Sequence, residues 1–136
     1  MRRTVRTLSL IGAATALALG MSVPANADTE PSTKAFPPCW VNAHAPLYSS
    51  PDIYATGSWS CFSAVDKAEM EVEVWRDGRI VGRSNTTWTR DTAAQDTALA
   101  RNIAGNQRWC TNVGVTFTYN GQQQSGSDFA CETAGF

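Results

Sequence analysis

The sequence predicts an all-β domain: an antiparallel β-sandwich of about seven strands, cross-linked by two disulfides. Three observations lead to this prediction. Apolar and polar residues alternate with a period of two through most of the chain after residue 38. The dipeptides Asp77-Gly78 and Asn120-Gly121 are typical of two-residue hairpin turns between such runs. The chain also contains four cysteines, an even number that is typical of disulfides in small exported domains.

The first 27 residues have the organisation of a secretory signal peptide. Arg2, Arg3 and Arg6 precede an apolar stretch over residues 8–20, and Ala25-Asn26-Ala27 offers the small residues of a cleavage site. We therefore expect residues 1–27 to be removed and the mature protein to be secreted. The apolar stretch is shorter than the roughly 20 residues that a membrane-spanning helix needs, so no membrane span is expected.

The mature chain is expected to be a single monomeric domain. Cleavage after Ala27 leaves 109 of the 136 residues, enough for one modest core. The polar, proline-rich residues 28–38 predict a flexible N-terminal segment, and residues 39–136 form the domain. Without the leader arginines, 8 basic residues stand against 12 acidic ones, a net charge of −4. A chain of this sign without a basic cluster is not expected to bind nucleic acid or an anionic membrane.

The first predicted hairpin surrounds a loop over residues 46–54, where prolines and serines mark a turn. The flanking runs are CWVNAHA and ATGSWSC. Antiparallel pairing centred on Ser50 places Cys39 opposite Cys61 and Val41 opposite Trp59. The apolar residues of both runs then share the face of the two cysteines.

The second predicted hairpin joins strands over 67–76 and 79–88 through Asp77-Gly78. One face of the first strand carries its small and aliphatic residues and is expected in the core. The other face, here called the glutamate face, carries Glu69, Glu71, Glu73 and Trp75. Strict alternation across the turn adds five residues of the second strand to the glutamate face: Ile80, Gly82, Ser84, Thr86 and Trp88.

Residues 91–104 fit two structures. Thr92 and Gln95 resemble a helix capping box, and the alanines that follow favour a helix. Leu99, Arg101 and Ile103 alternate as they would in a strand. We predict a strand over residues 97–103.

The last predicted hairpin turns at Asn120-Gly121. This turn places Cys110 directly opposite Cys131. Strict alternation then puts both cysteines on the face opposite Val113, Val115 and Phe117 and directs Asp128 toward the core and Phe129 away from it. A β-bulge at Gly114 or Gly126 would reverse the far end of this hairpin, and the sequence leaves both registers open.

These registers favour the disulfides Cys39–Cys61 and Cys110–Cys131. An immunoglobulin-like layout of the strands offers the alternative of Cys61–Cys110 with Cys39–Cys131, in which Trp75 would pack on a core disulfide. Trp75 lies on the glutamate face, so we favour the first scheme. A zinc site is not expected, because no two cysteines have metal-binding spacing and only one histidine is present.

The leader, the C-x-V-x-A opening at Cys39 and the two cysteine-stapled hairpins resemble small secreted actinobacterial proteins with immunoglobulin-like sandwiches. The resemblance covers most of the mature chain. It implies the fold and the export route but no general activity.

The regularly spaced glutamates raise the question of catalysis. Residues two apart on a strand lie about 6.6–6.8 Å apart, within the range of about 6.5–9.5 Å for an inverting glycosidase pair. The pattern of Glu69, Glu71 and Glu73 resembles the strand motif of laminarinase-like jelly-roll glycosidases, which implies Glu69 as nucleophile and Glu73 as acid/base. In that family the middle acid is usually Asp and the chain is much longer. A catalytic acid also needs a raised pKa, which an exposed hairpin face does not supply, so a solvated strand face is expected.

We therefore predict a secreted, non-catalytic protein that binds a protein or a glycan without metal or cofactor. The candidate binding residues are Glu69, Glu71, Glu73, Trp75 and Trp88. If it inhibits a secreted hydrolase, the loops over 46–54 and 104–107 are the better candidates, because a stapled loop loses less entropy on binding. The alternatives are a small glycoside hydrolase using Glu69 and Glu73, and a structural protein of the envelope or spore surface.

Overall fold

The computed structural model describes residues 34–135, and the predicted signal peptide over 1–27, together with residues 28–33, lies outside this range. The described chain is all β and contains no helix, as predicted. Its six strands are β1 (Cys39–Ala43), β2 (Leu47–Ser49), β3 (Asp52–Arg76), β4 (Arg79–Arg101), β5 (Asn106–Tyr119) and β6 (Gln122–Gly135).

All six strands belong to one antiparallel sheet, in which β3 is the central element. The path through the sheet is β1-β3-β5-β6, and β2 and β4 also pair with β3. One edge of β3 pairs with β4 along most of its length. The other edge pairs first with β2 and β1 and then, from Lys67 onward, with β5. A single strand thus connects every part of the fold except β6.

The sheet curls because β3 and β4 are irregular at the same level. Ser60 pairs with Ala93 and Val65 with Asp91, so four residues of β3 face the single residue Thr92. Arg90, beside this point, has a positive φ of 57°. The bend folds the two parts of the sheet over one another. The predicted strands on either side of it are therefore continuous: two form β3 and two form β4.

The core lies between the two parts of the curled sheet. The Trp59 ring lies 6.1 Å from Trp88 and 5.5 Å from Phe117, centroid to centroid. A Cβ added to Gly57 would lie 2.6 Å from a methyl group of Val113, so the two layers approach closely there. The aliphatic residues predicted on the inner face of β3 are all buried: Ala68, Met70, Val72 and Val74.

Both disulfides follow the favoured scheme. Cys39 pairs with Cys61 across β1 and β3, and Cys110 with Cys131 across β5 and β6. The alternative immunoglobulin-type scheme is thereby excluded. The positive φ of both residues at each predicted turn, Asp77-Gly78 and Asn120-Gly121, agrees with the predicted hairpins.

Of the two registers left open for the last hairpin, the structure has the one without a bulge at Gly114 or Gly126. The register of β5 and β6 is unbroken, so Cys110 and Cys131 lie on the face opposite Val113. Asp128 therefore points inward, where a carboxylate oxygen accepts a hydrogen bond of 2.8 Å from the backbone N–H of Ala43. This hydrogen bond lowers the pKa of Asp128. It ties the edge strand β1 to β6 and gives the inward carboxylate a partner, so no bulge is needed to turn that side chain outward.

The connections differ from the expectation in detail. The predicted loop over 46–54 is itself a small hairpin, formed by β2 and the start of β3. The ambiguous segment over 91–104 is strand, as predicted, but the strand covers residues 91–101 of it and not 97–103. Residues 34–38 precede β1, and Phe36 contacts Tyr119 at 5.8 Å between ring centroids.

The close approach of the two layers makes a testable prediction at Gly57. Gly57→Ala should lower the free energy of unfolding by about 1–3 kcal/mol, because a buried, β-branched Val113 must move to admit the methyl group. Gly114→Ala is the matched control, since a Cβ there meets no atom within 4 Å. It should cost nothing. Urea unfolding of the two variants measures the difference, and equal losses would contradict the layer contact.

Candidate functional site

A β-bulge beside the second hairpin decides which side chains reach the glutamate face. Trp75 pairs with Ile80, as the turn predicts, but the next pair is Val74 with Gly82. This slip of one residue reverses the facing of every later β4 side chain, because the side-chain period of a strand is two. The residues opposite Glu73, Glu71 and Glu69 are therefore Arg83, Asn85 and Thr87.

Trp88 is the predicted site residue that the structure places elsewhere. It pairs with Ala68 and packs against the buried Trp59 between the layers. The expectation that Trp88 lies on the same face as Trp75 is wrong, because the bulge turns Trp88 to the opposite face. Glu69, Glu71, Glu73 and Trp75 do share one face.

Strands β5 and β6 extend the glutamate face sideways. Each β3 residue on this face pairs with a residue of β5, and that residue pairs in turn with one of β6. The four sets of paired residues form four rows across the sheet. The rows are Glu69-Thr116-Ser125, Glu71-Gly114-Ser127, Glu73-Asn112-Phe129 and Trp75-Cys110-Cys131. From the first row to the last the face is about 20 Å long.

Glu73 is the buried centre of this face, with only 5% of its surface exposed. Its Oε1 accepts a hydrogen bond of 2.6 Å from Arg83. Its Oε2 accepts hydrogen bonds from Trp75 Nε1 at 2.8 Å and from Asn112 Nδ2 at 3.0 Å. The expectation of a solvated strand face is therefore wrong at Glu73. It holds better for Glu69 and Glu71, whose side chains are 46% and 44% exposed.

The electrostatics of the three glutamates do not suit acid/base catalysis. Burial on its own would raise the pKa of Glu73, but hydrogen bonds from Asn112, Arg83 and Trp75 outweigh it and lower the pKa to about 2. A general acid needs the opposite shift. Glu69 forms an ion pair with Lys67 at 3.0 Å, and Glu71 pairs with Arg83 at 3.4 Å. The face therefore carries paired carboxylates rather than a proton donor and a free nucleophile.

A groove of about 610 Å³ crosses the first two rows, and we call it the central groove. Its outward-facing lining consists of Glu69, Glu71, Asn85, Thr87, Gly114, Thr116, Ser125 and Ser127. Gly114 lies at its floor, in the middle of β5, and a Cβ built there would have no atom within 4 Å. A glycine inside a strand weakens the strand and often marks a place where a ligand approaches the backbone.

A second pocket, of about 490 Å³, lies at the other end of the face, and we call it the aromatic pocket. It is lined by Trp75, Gly78, Arg108, Cys110, Asn112 and Phe129. Phe129 is 54% exposed, whereas the Trp75 indole is held by its hydrogen bond to Glu73. The Cys110–Cys131 disulfide crosses the last row and fixes β6 beside this pocket.

Sequence reasoning missed the side chains that β4, β5 and β6 contribute to this face, among them Arg83, Asn112, Gly114 and Phe129. The register set by Asn120-Gly121 pairs Asn112 with Phe129, and strict alternation without a bulge places both on the outer face. Arg83 could not be assigned to this face, because the bulge at Val74 has no signal in the sequence.

Metal-ligand clusters and membrane-spanning helices are both absent from the described part of the chain. Within residues 34–135, no group of three or more His, Cys, Asp and Glu side chains is arranged to hold a metal ion. No helix in the same range has the length and hydropathy to cross a bilayer. Comparison of the sequence with models of known families and with curated proteins finds no match.

The hydrogen bonds of Glu73 predict a pH-dependent contribution to stability. The pKa of Glu73 is lower in the folded protein than in the unfolded chain. Its contribution is therefore complete above about pH 4.5 and is lost as the pH falls toward 2. Glu73→Gln should lower the free energy of unfolding at pH 7 by up to about 3 kcal/mol, and by less near pH 3.

Urea unfolding at the two pH values measures this effect. Glu69→Gln is the matched control, since its exposed ion pair is worth less than about 1 kcal/mol. A Glu73→Gln variant as stable as the control at pH 7 would contradict the buried network.

Proposed function

We propose that this chain is an exported, non-catalytic binding protein whose ligand sits on the glutamate face. The observation that carries this proposal is Gly114, an open position at the floor of a groove in the middle of a regular strand. A side chain there would strengthen the strand without meeting any neighbour. The absence of a side chain at Gly114 leaves room for a ligand in the groove.

The state of the carboxylates supports binding rather than hydrolysis. Glu73 is the residue that the glycosidase resemblance would make the acid/base, yet its low pKa keeps it ionised at any physiological pH. Its three donors also fix the side chains around it before a ligand arrives. Such preorganisation lowers the entropy cost of binding.

Export is supported by the leader and by the cysteines. All four cysteines are paired in disulfides, which form and persist in oxidising compartments. The signal-peptide pattern over residues 1–27 also predicts export.

A tyrosine at Gly114 tests the location of the site. Gly114→Tyr should fill the groove floor and lower capture of the partner from culture medium or cell-wall extract at least about tenfold. Ala93→Tyr is the matched control, because it adds the same ring at an exposed β4 position on the other part of the sheet. Capture that is equal for both variants, or absent for the wild-type protein, would contradict the proposal. Thermal unfolding verifies that both variants are folded.

A further inference from the structure

The chemistry of the central groove narrows the class of ligand. Among its outward-facing side chains are one amide and four hydroxyls, from Asn85, Thr87, Thr116, Ser125 and Ser127. Amides and hydroxyls both donate and accept hydrogen bonds, and the carboxylates of Glu69 and Glu71 accept them. A ligand rich in hydroxyl groups can satisfy all of these, because each of its hydroxyls is also both donor and acceptor.

The charges of the face favour a neutral ligand. Each carboxylate of the groove already has a cation beside it: Lys67 for Glu69, and Arg83 for Glu71. A cationic ligand would therefore have to displace an existing ion pair. A polyanion would meet these carboxylates in a groove whose lining contains no Lys or Arg.

The position of the groove disfavours a peptide. An extended peptide binds a sheet by adding a strand at an edge, where backbone groups are free. The floor of the groove is formed by β3 and β5, and each of these strands has partners on both sides. The edge strands β4 and β6 contribute side chains from their faces to the two sides of the groove. Its side chains also lack the large apolar anchors that dominate protein interfaces.

The aromatic pocket supplies the aromatic rings on which a sugar ring can stack. Sugar rings have apolar C–H faces that stack on aromatic rings. Phe129 offers an exposed ring, and Trp75 offers an indole fixed by Glu73. Asn112 lines the same pocket and is fixed by the same carboxylate. The two pockets therefore place stacking groups at one end of the face and hydrogen-bonding groups at the other.

We propose that the glutamate face binds a neutral oligosaccharide lying along the strands, from the aromatic pocket at Trp75 and Phe129 into the central groove over Gly114. This inference rests on the proposed function and names its ligand class. The face, about 20 Å long, accommodates several linked sugar rings.

An array of neutral gluco-, xylo-, manno- and chito-oligosaccharides, with sulfated and uronate polysaccharides beside them, tests the ligand class on the mature protein. At least one neutral oligosaccharide should bind, and the anionic ones should not. Calorimetry with the bound oligosaccharide then compares variants. Phe129→Ala should weaken binding about tenfold through lost stacking. Phe62→Ala is the matched control, since Phe62 is 80% exposed and lies at the bend of β3, outside both pockets.

The outcomes separate the two proposals. If no neutral oligosaccharide binds but partner capture still depends on Gly114, the face is right and the ligand class is wrong. If an oligosaccharide binds equally well to wild type and Gly114→Tyr, the oligosaccharide site proposed here is wrong. Equal affinities of Phe129→Ala and Phe62→Ala would overturn the stacking role of the aromatic pocket.

Discussion

The buried carboxylate of Glu73 is the constraint on which the glutamate face depends. A charge can be buried only if partners replace the water that it loses. Here the partners come from three strands: Trp75 on β3, Arg83 on β4 and Asn112 on β5. One side chain therefore fixes the strand register, the indole and the amide together. The fold itself therefore sets the shape of the face.

The same carboxylate shows why spacing alone is a weak guide to chemistry. Residues two apart on any strand have about the separation of an inverting glycosidase pair, because strand geometry dictates it. The surroundings of each carboxyl group distinguish an acid catalyst from a structural acceptor. Glu73 has donors on both oxygens, and its pKa falls. In the motif that resembles a catalytic strand, Glu73 is thus a structural hydrogen-bond acceptor that joins three strands.

The sequence alone predicts those parts of the structure that local rules govern. The Asn120-Gly121 turn fixes a register that holds over all fourteen pairs of β5 and β6, so the position of Cys110 opposite Cys131 could be predicted. The alternation of Met70 and Val72 correctly assigned the inner face. The sequence left a bulge near Gly114 open, because a bulge would bring the disulfide to the core side, whereas this disulfide lies on the glutamate face.

The register of the other hairpin could not be predicted, because tertiary contacts override its turn. The Asp77-Gly78 register holds for two pairs and then slips. Without the slip, Gly82 would stand opposite Glu73. With it, Gly82 lies inward against the backbone of Leu99 and Arg83 reaches the carboxylate. These contacts join distant parts of β4 and β3, so no local pattern reveals them. The misplacement of Trp88 follows directly from this slip.

Measurement of the Glu73 pKa tests most directly whether three donors hold the buried carboxylate. A pH titration of the Glu73 side-chain carboxyl by NMR should give a midpoint near 2, and the indole N–H signal of Trp75 should shift with the same midpoint. A midpoint near 4.3, as for a solvated glutamate, would show that the carboxylate is not held by its three donors. A midpoint above that value would instead restore Glu73 as a candidate acid.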